Sequence, residues 1–162
     1  VFEVVRPYLG GPVVAVSVAT RPDTLPEECL DVLEALTEHV EVWLELGLET
    51  ASDSILTKIG RMHTVDEFRE ATARATERGI GVVGHAILGL PGDGVEGARA
   101  TADVLAECGV WGVKVHHLMV LRRTIMRGAA CRRCWARSRR GSSAPTICSP
   151  RAMRAARFVL FL

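Results

Sequence analysis

The stretch VVGHAILGLPGDG, Val82 to Gly94, decides how the rest of the chain is read. Val82, Val83, Ala86, Ile87 and Leu88 are β-prone or small and apolar, and His85 is the one ionisable group among them. Gly89, Pro91, Gly92 and Gly94 stop the strand and let the backbone turn sharply. Beyond the turn, Ala98, Ala102, Leu105 and Cys108 fall at helix spacing, which predicts a helix from about Val95 to Cys108. A buried strand feeding a helix through a short glycine-rich loop is half of a βαβ unit. In such folds ligands sit at the carboxyl ends of the strands.

Working outward, the same unit recurs. Val13 to Ala19 reads as a strand, followed by a polar loop and a helix whose expected capping box is Thr24 with Glu27. That helix shows Cys29, Val32, Leu33, Leu36 and Val40 on one face. From Val40 to Glu49 the chain alternates: Val40, Val42, Leu44, Leu46 and Leu48 on one side, Glu41, Trp43, Glu45, Gly47 and Glu49 on the other. A half-exposed antiparallel strand would alternate in the same way. The helices expected on both sides of this segment favour a parallel sheet, in which the acidic face lines an interior. Ser52 to Ile59 is a short helix ended by Gly60, and Thr64 with Glu67 is a second capping box. The helix after it carries Val65, Phe68, Ala71 and Ala75, and Gly79 stops it. Val113 to Leu121 is the last strand. The order is β-α-β-α-α-β-α-β with parallel strands: an α/β fold, and a piece of a (β/α) TIM-like barrel, since a full one takes roughly 250 residues.

Composition bounds the class. With 162 residues and 48% apolar content the chain is globular, and no apolar run approaches a membrane span. The net charge of +1 conceals a division. Residues 1–121 hold nine basic against nineteen acidic residues, net −10, while residues 122–162 hold eleven Arg and no acid, net +11. Five scattered Cys without secretory features predict reduced thiols and a cytoplasmic location. In the tail, Cys131 and Cys134 form a CxxC and Cys148 is a third thiol, but no His follows His117, so zinc lacks a fourth ligand. Arg-, Ala-, Cys- and Ser-rich text is what a GC-rich gene gives out of frame. Residues 1–121 are therefore read as the folded part, and 122–162 as a tail without a packed core.

Four stretches together resemble the radical S-adenosylmethionine (radical SAM) superfamily: VSVATRPD (Val16 to Asp23), WLELGLETASDSILTKIGRMHT (Trp43 to Thr64), VVGHAILGLPGD (Val82 to Asp93) and GVKVHHLMVL (Gly112 to Leu121). Their order and spacing are similar to strands three to six of that family's partial (β/α)6 barrel. The likeness is to the YhcC-like branch, related to the Elongator-type and coproporphyrinogen-oxidase-like branches. It implies an enzyme that uses a [4Fe–4S] cluster and SAM to generate a 5′-deoxyadenosyl radical on a substrate the sequence does not identify. The Elongator-type kinship leaves an RNA-related substrate open.

The family's CxxxCxxC loop does not occur in residues 1–121, so its ligands are expected upstream of Val1, and the chain as given is expected to be an inactive fragment. The resemblance also implies site residues for SAM. Glu49 stands where relatives contact ribose, Arg61 where they meet the methionine carboxylate, and His85 and Ile87 where they touch ribose and adenine. Glu45, Thr20 and His116 complete the candidate set, and no metal ligand or catalytic residue is assigned. Lys114, His116 and Leu118 share a face of the last strand, and His116 and His117 cannot both face inward. Read without the resemblance, Arg61 also suits a helix end and His85 a hydrogen-bonded core position. The rival functions are another (β/α) barrel that binds phosphate at Gly89 to Gly94, and a non-catalytic binding fragment. Upstream sequence separates them.

Overall fold

The structure is a computed structural model and describes residues 6–9, 11–120 and the backbone of Val159–Phe161. Five parallel strands form one sheet in the order β1-β2-β3-β4-β5. They are β1 Ala15–Thr20, β2 Glu41–Glu49, β3 Gly81–Leu88, β4 Gly112–His117 and β5 Val159–Phe161. Helices α1 Glu27–Thr37, α2 Asp53–Lys58, α3 Val65–Glu77 and α4 Gly94–Glu107 lie in the connections. Among the described strands, neighbours in sequence are neighbours in the sheet, the order of a barrel rather than of a sheet with a topological switch. The sheet and its helices form a partial (β/α) barrel, as the sequence predicts.

The alternation of β2 builds the core. Leu44, Leu46 and Leu48 are fully buried and pack with Leu30, Leu33 and Leu36 of α1 and Phe68, Ala71 and Ala75 of α3. The opposite face carries Ser17, Trp43, Glu45, His85 and Lys114, with Ser17 opposite Trp43 and His85 opposite Lys114 by register. Gly60, Gly79 and Gly109 end their helices at φ 75°, 74° and 63°, a conformation that costs glycine nothing. Thr64 caps α3 through the expected box with Glu67.

Several local expectations change. β1 begins at Ala15, because Val13 bridges Leu9 and Val14 is exposed. The Thr24–Glu27 box does not form. Pro22–Thr24 is a 3-10 turn, the Thr24 hydroxyl donates to the Arg21 carbonyl, and Pro26 stands at the N-cap. The buried stripe of α1 is Leu30, Leu33 and Leu36, while Cys29 and Val32 are exposed. In α4 Ala102 is exposed and Thr101 is buried instead, its hydroxyl donating to the Gly97 carbonyl and accepting from the Ala51 N–H. A small polar residue with both bonds made can occupy a core position. The last long strand ends at His117.

Within the tail, which was expected to have no packed core, the backbone of Val159–Phe161 pairs with Gly112–Lys114. It falls in FVLFL, the apolar run of the tail. The rest of that expectation, including Cys131, Cys134 and Cys148, lies outside the described residues.

Candidate functional site

A cavity of about 240 Å³ opens at the carboxyl ends of β2, β3 and β4, lined by Glu49, Ile59, Arg61, Ile87, Leu90 and Leu118. Its polar end is built by an irregularity in β2. The register shifts between Gly47 and Glu49, and Glu49 takes φ 69°, the one positive φ on a non-glycine among the described residues. A bulge of this kind bends a strand and re-aims a side chain, at a cost on the order of 1–3 kcal/mol when the φ is strained. Glu49 is 8% exposed and its Oε1 is ion-paired with the Arg61 guanidinium, which also donates to the Gly47 carbonyl at 3.3 Å. The other Glu49 oxygen has no partner among the described residues, and the Arg61 Nε is buried without one.

The Arg61 loop is fixed at both ends. The Arg61 N–H donates to Leu56 O at the end of α2, and Thr64 begins α3. The Val65 N–H donates to Asp53 at 2.8 Å, which ties α3 to α2. Between them His63 is 4% exposed, its ring against the Leu48 backbone without a well-formed hydrogen bond on either nitrogen. Burial, then the charge of Arg61, pushes its pKa below the ordinary value, so this ring is held neutral. The loop after β2 is tied to α4, where the Thr50 hydroxyl donates to Asp93 at 2.9 Å.

Deeper on the inward face lies a second cluster. Glu45 accepts from the Ser17 hydroxyl at 2.9 Å and from the Lys114 ammonium at 3.0 Å, and meets His85 Nε2 at 2.7 Å. Burial alone would raise the Glu45 pKa. The hydrogen bonds from Lys114, Ser17 and His85 and the Lys114 charge outweigh it and lower it to about 2. Glu45 is therefore ionised and accepts only, so the His85 proton sits on Nε2. The ring of His116 lies 5.2 Å from that of His85.

The structure thus brings Glu49, Arg61 and Ile87 onto one cavity, and Glu45 and His85 together in the separate cluster on the inward face, not in the cavity lining. His116 is exposed beside His85 and does not line the cavity. Thr20 does not reach it either. It pairs with Leu46 on the helix-facing register, and its hydroxyl meets Thr24 at 2.9 Å. Ile59, Leu90 and Leu118 complete the walls. Of these the sequence offered only Leu118, by its period with Lys114 and His116. Ile59 precedes the Gly60 stop and Leu90 sits within the turn, where no periodicity marks a lining residue.

A parallel α/β sheet in sequential strand order, with a cavity at the carboxyl ends of its strands, is the arrangement of a partial (β/α)-barrel protein. The model of the Radical SAM superfamily matches residues 4–105, well over half of the chain, and the chain belongs to that superfamily. It is 42% identical over 115 residues to YhcC of Escherichia coli K12, covering 70% of this chain and 37% of that protein. It is 38% identical over 114 residues to YtqA of Bacillus subtilis, covering 70% and 35%. The chain thus spans little more than a third of these relatives. Among solved structures it is similar to an archaeal Elp3 from Methanocaldococcus infernus, at TM-score 0.62 and 24% identity over 77% of this chain and 28% of that one. It is also similar to coproporphyrinogen III oxidase HemN of Escherichia coli, at TM-score 0.56 and 19% identity over 72% and 25%. These structural likenesses concern the fold. Among the described residues no helix is long and apolar enough to cross a membrane.

Proposed function

We propose that the cavity bounded by Glu49, Arg61 and Ile87 is the SAM site of a radical SAM enzyme, and that this chain contributes part of its core. The observation that carries the reading is the meeting of Arg61, Glu49 and Ile87 from three separate elements on one cavity. Its chemistry fits the molecule. The buried, unpartnered Arg61 Nε suits a carboxylate, the free Glu49 oxygen suits ribose hydroxyls, and Ile59, Ile87, Leu90 and Leu118 suit an adenine face. SAM held there would supply the adenosyl group for radical chemistry. The protein's own part is to bind it, orient it and keep water from its apolar end.

The cluster is a different matter. The cysteines among the described residues are Cys29, exposed on α1, and Cys108, beyond α4, and no group of three ligating side chains converges. The described residues do not fit a cluster, so no step is assigned to one, and we propose that this segment alone is inactive. Free thiols on Cys29 and Cys108 support a cytoplasmic setting. For the substrate, support for an RNA-related molecule comes from one relative, a tRNA-2-methylthio-N(6)-dimethylallyladenosine synthase of Magnetococcus marinus, 28% identical over 94 residues.

The test is a calorimetric titration of SAM into the full-length protein carrying this segment. Arg61→Ala should weaken binding about tenfold or more, the worth of one charge-assisted pair to a carboxylate. An unchanged affinity would move the site elsewhere.

A further inference from the structure

We infer that Gly47 is a positioning residue of this site: the bare inner surface of β2 at Gly47 is the berth in which the Arg61 guanidinium lies. The inference rests on the reading of the cavity as the SAM site and adds to it the feature that aims its cationic side chain.

Along the inward face of β2, Trp43 and Glu45 fill their positions with side chains, and Gly47 leaves the next one empty. The guanidinium occupies that space. A Cβ at residue 47 would fall on the same Arg61 nitrogen that pairs with Glu49 and donates to the Gly47 carbonyl. It would also come within 2.5 Å of Glu49 Oε1 and 3.4 Å of Arg61 Cζ. Gly47 is not among the glycines at positive φ, so its backbone makes no demand for glycine. The requirement is for space.

What an added methyl would displace also matters. At Gly84 the new Cβ would strike Leu105 and approach Phe68 at 3.6 Å, both inside the packed core. At Gly47 it strikes only the far ends of Arg61 and Glu49. Such ends can swing away at little cost to the fold, but the two groups that face the cavity then lose their positions. The same methyl group therefore damages the core at Gly84 and the site at Gly47.

The experiment is a double-mutant cycle in the full-length, cluster-loaded protein, with SAM titrations and thermal melts of the parent, Gly47→Ala, Arg61→Ala and the double variant. Gly47→Ala should weaken SAM about tenfold or more and melt within about 2 °C of the parent. The double variant should bind like Arg61→Ala, because Gly47 acts through Arg61. A Gly47→Ala penalty of equal size in the Arg61→Ala background would overturn the inference, and so would parental affinity in Gly47→Ala. If Gly47→Ala unfolds, the double variant decides. With the berth vacated it should melt like Arg61→Ala, and a further loss beyond Arg61→Ala would make Gly47 a core residue. If Arg61→Ala leaves SAM affinity untouched, the cofactor reading is lost. Gly47 is then judged by the Arg61 Nε–H resonance in nitrogen NMR, which must move in Gly47→Ala if the berth is real, and whose constancy would refute it.

Discussion

Two charge networks lie on opposite faces of the sheet layer, and they are built from the same residue types to different ends. On the helix side, Arg78 reaches Glu27 and Asp31 at 2.5 Å and Glu34 at 3.5 Å, and Arg74 pairs with Glu27, linking α3 to α1. The carboxylates there are 52–65% exposed. On the inward side, Glu45, His85 and Lys114 are only 20%, 17% and 36% exposed. Water screens the first network and leaves it worth little, whereas in the second the hydrogen bonds to Glu45 outweigh its desolvation, keep it ionised and fix the His85 tautomer. Charge in this protein therefore acts where the strands face inward, and the outer ion pairs chiefly trim the packing of two helices.

The largest break of this contrast is Glu45→Ala. It strands Lys114 on a half-buried face without a counter-ion and removes the partner of His85 and Ser17. We expect a loss of about 2 kcal/mol in urea unfolding, below the figure for a fully buried pair because Lys114 retains some solvent. A loss within error would show the inward network to be no stronger than the outer one.

Acid sharpens the contrast next. Glu45 titrates near 2 in the folded protein against an ordinary 4.5, so its folded pKa is depressed. The stability it contributes is fully present above about 4.5 and is lost as pH falls through about 2. Glu45→Gln should flatten the acid limb of a stability-against-pH curve over that window. A limb of the same slope would assign acid sensitivity to other carboxylates.

The smallest effect belongs to the outer network. Glu27→Gln should shift the melting temperature less than either Glu45 variant, and about 0.5 M salt should erase the difference from the parent. A salt-resistant loss as large as that of Glu45→Ala would make the two faces equivalent.

Much of this was legible in the sequence, for physical reasons that differ by residue. The strand at Val82 follows from its run of β-prone residues, and the turn at Gly89 to Gly94 and the stops at Gly60, Gly79 and Gly109 follow from positive-φ conformations that few other residues adopt. The alternation of β2 put Glu45 and Leu44 on opposite faces, because the side-chain period of a strand is two. The bulge was not legible, since an extra residue in a ladder leaves no local pattern. Nor was the Arg61–Glu49 pair, which depends on how the α2–α3 loop folds back over β2. Glu49 was expected to contact ribose by resemblance, and the structure adds that it holds Arg61 with one oxygen. Thr24 looked like a cap until Pro26 took the position, and the helix period picked Ala102, whereas the buried position is Thr101, whose two hydrogen bonds depend on the fold. His63 lies in the quoted stretch RMHT, but nothing in that text marks its burial.

On the proposed function, the carboxyl end of β2 turns one acidic side chain into a SAM contact. Two glutamates separate that claim from a general effect of charge: Glu49 in the cavity, and the exposed Glu41 at the far end of the same strand. Calorimetric SAM titrations of Glu49→Ala and Glu41→Ala in the full-length, cluster-loaded protein measure the difference. Glu49→Ala should weaken binding about 10- to 100-fold, through the ribose hydroxyls and the loosened Arg61, while Glu41→Ala should bind as the parent does. Parental affinity in Glu49→Ala would contradict that proposal.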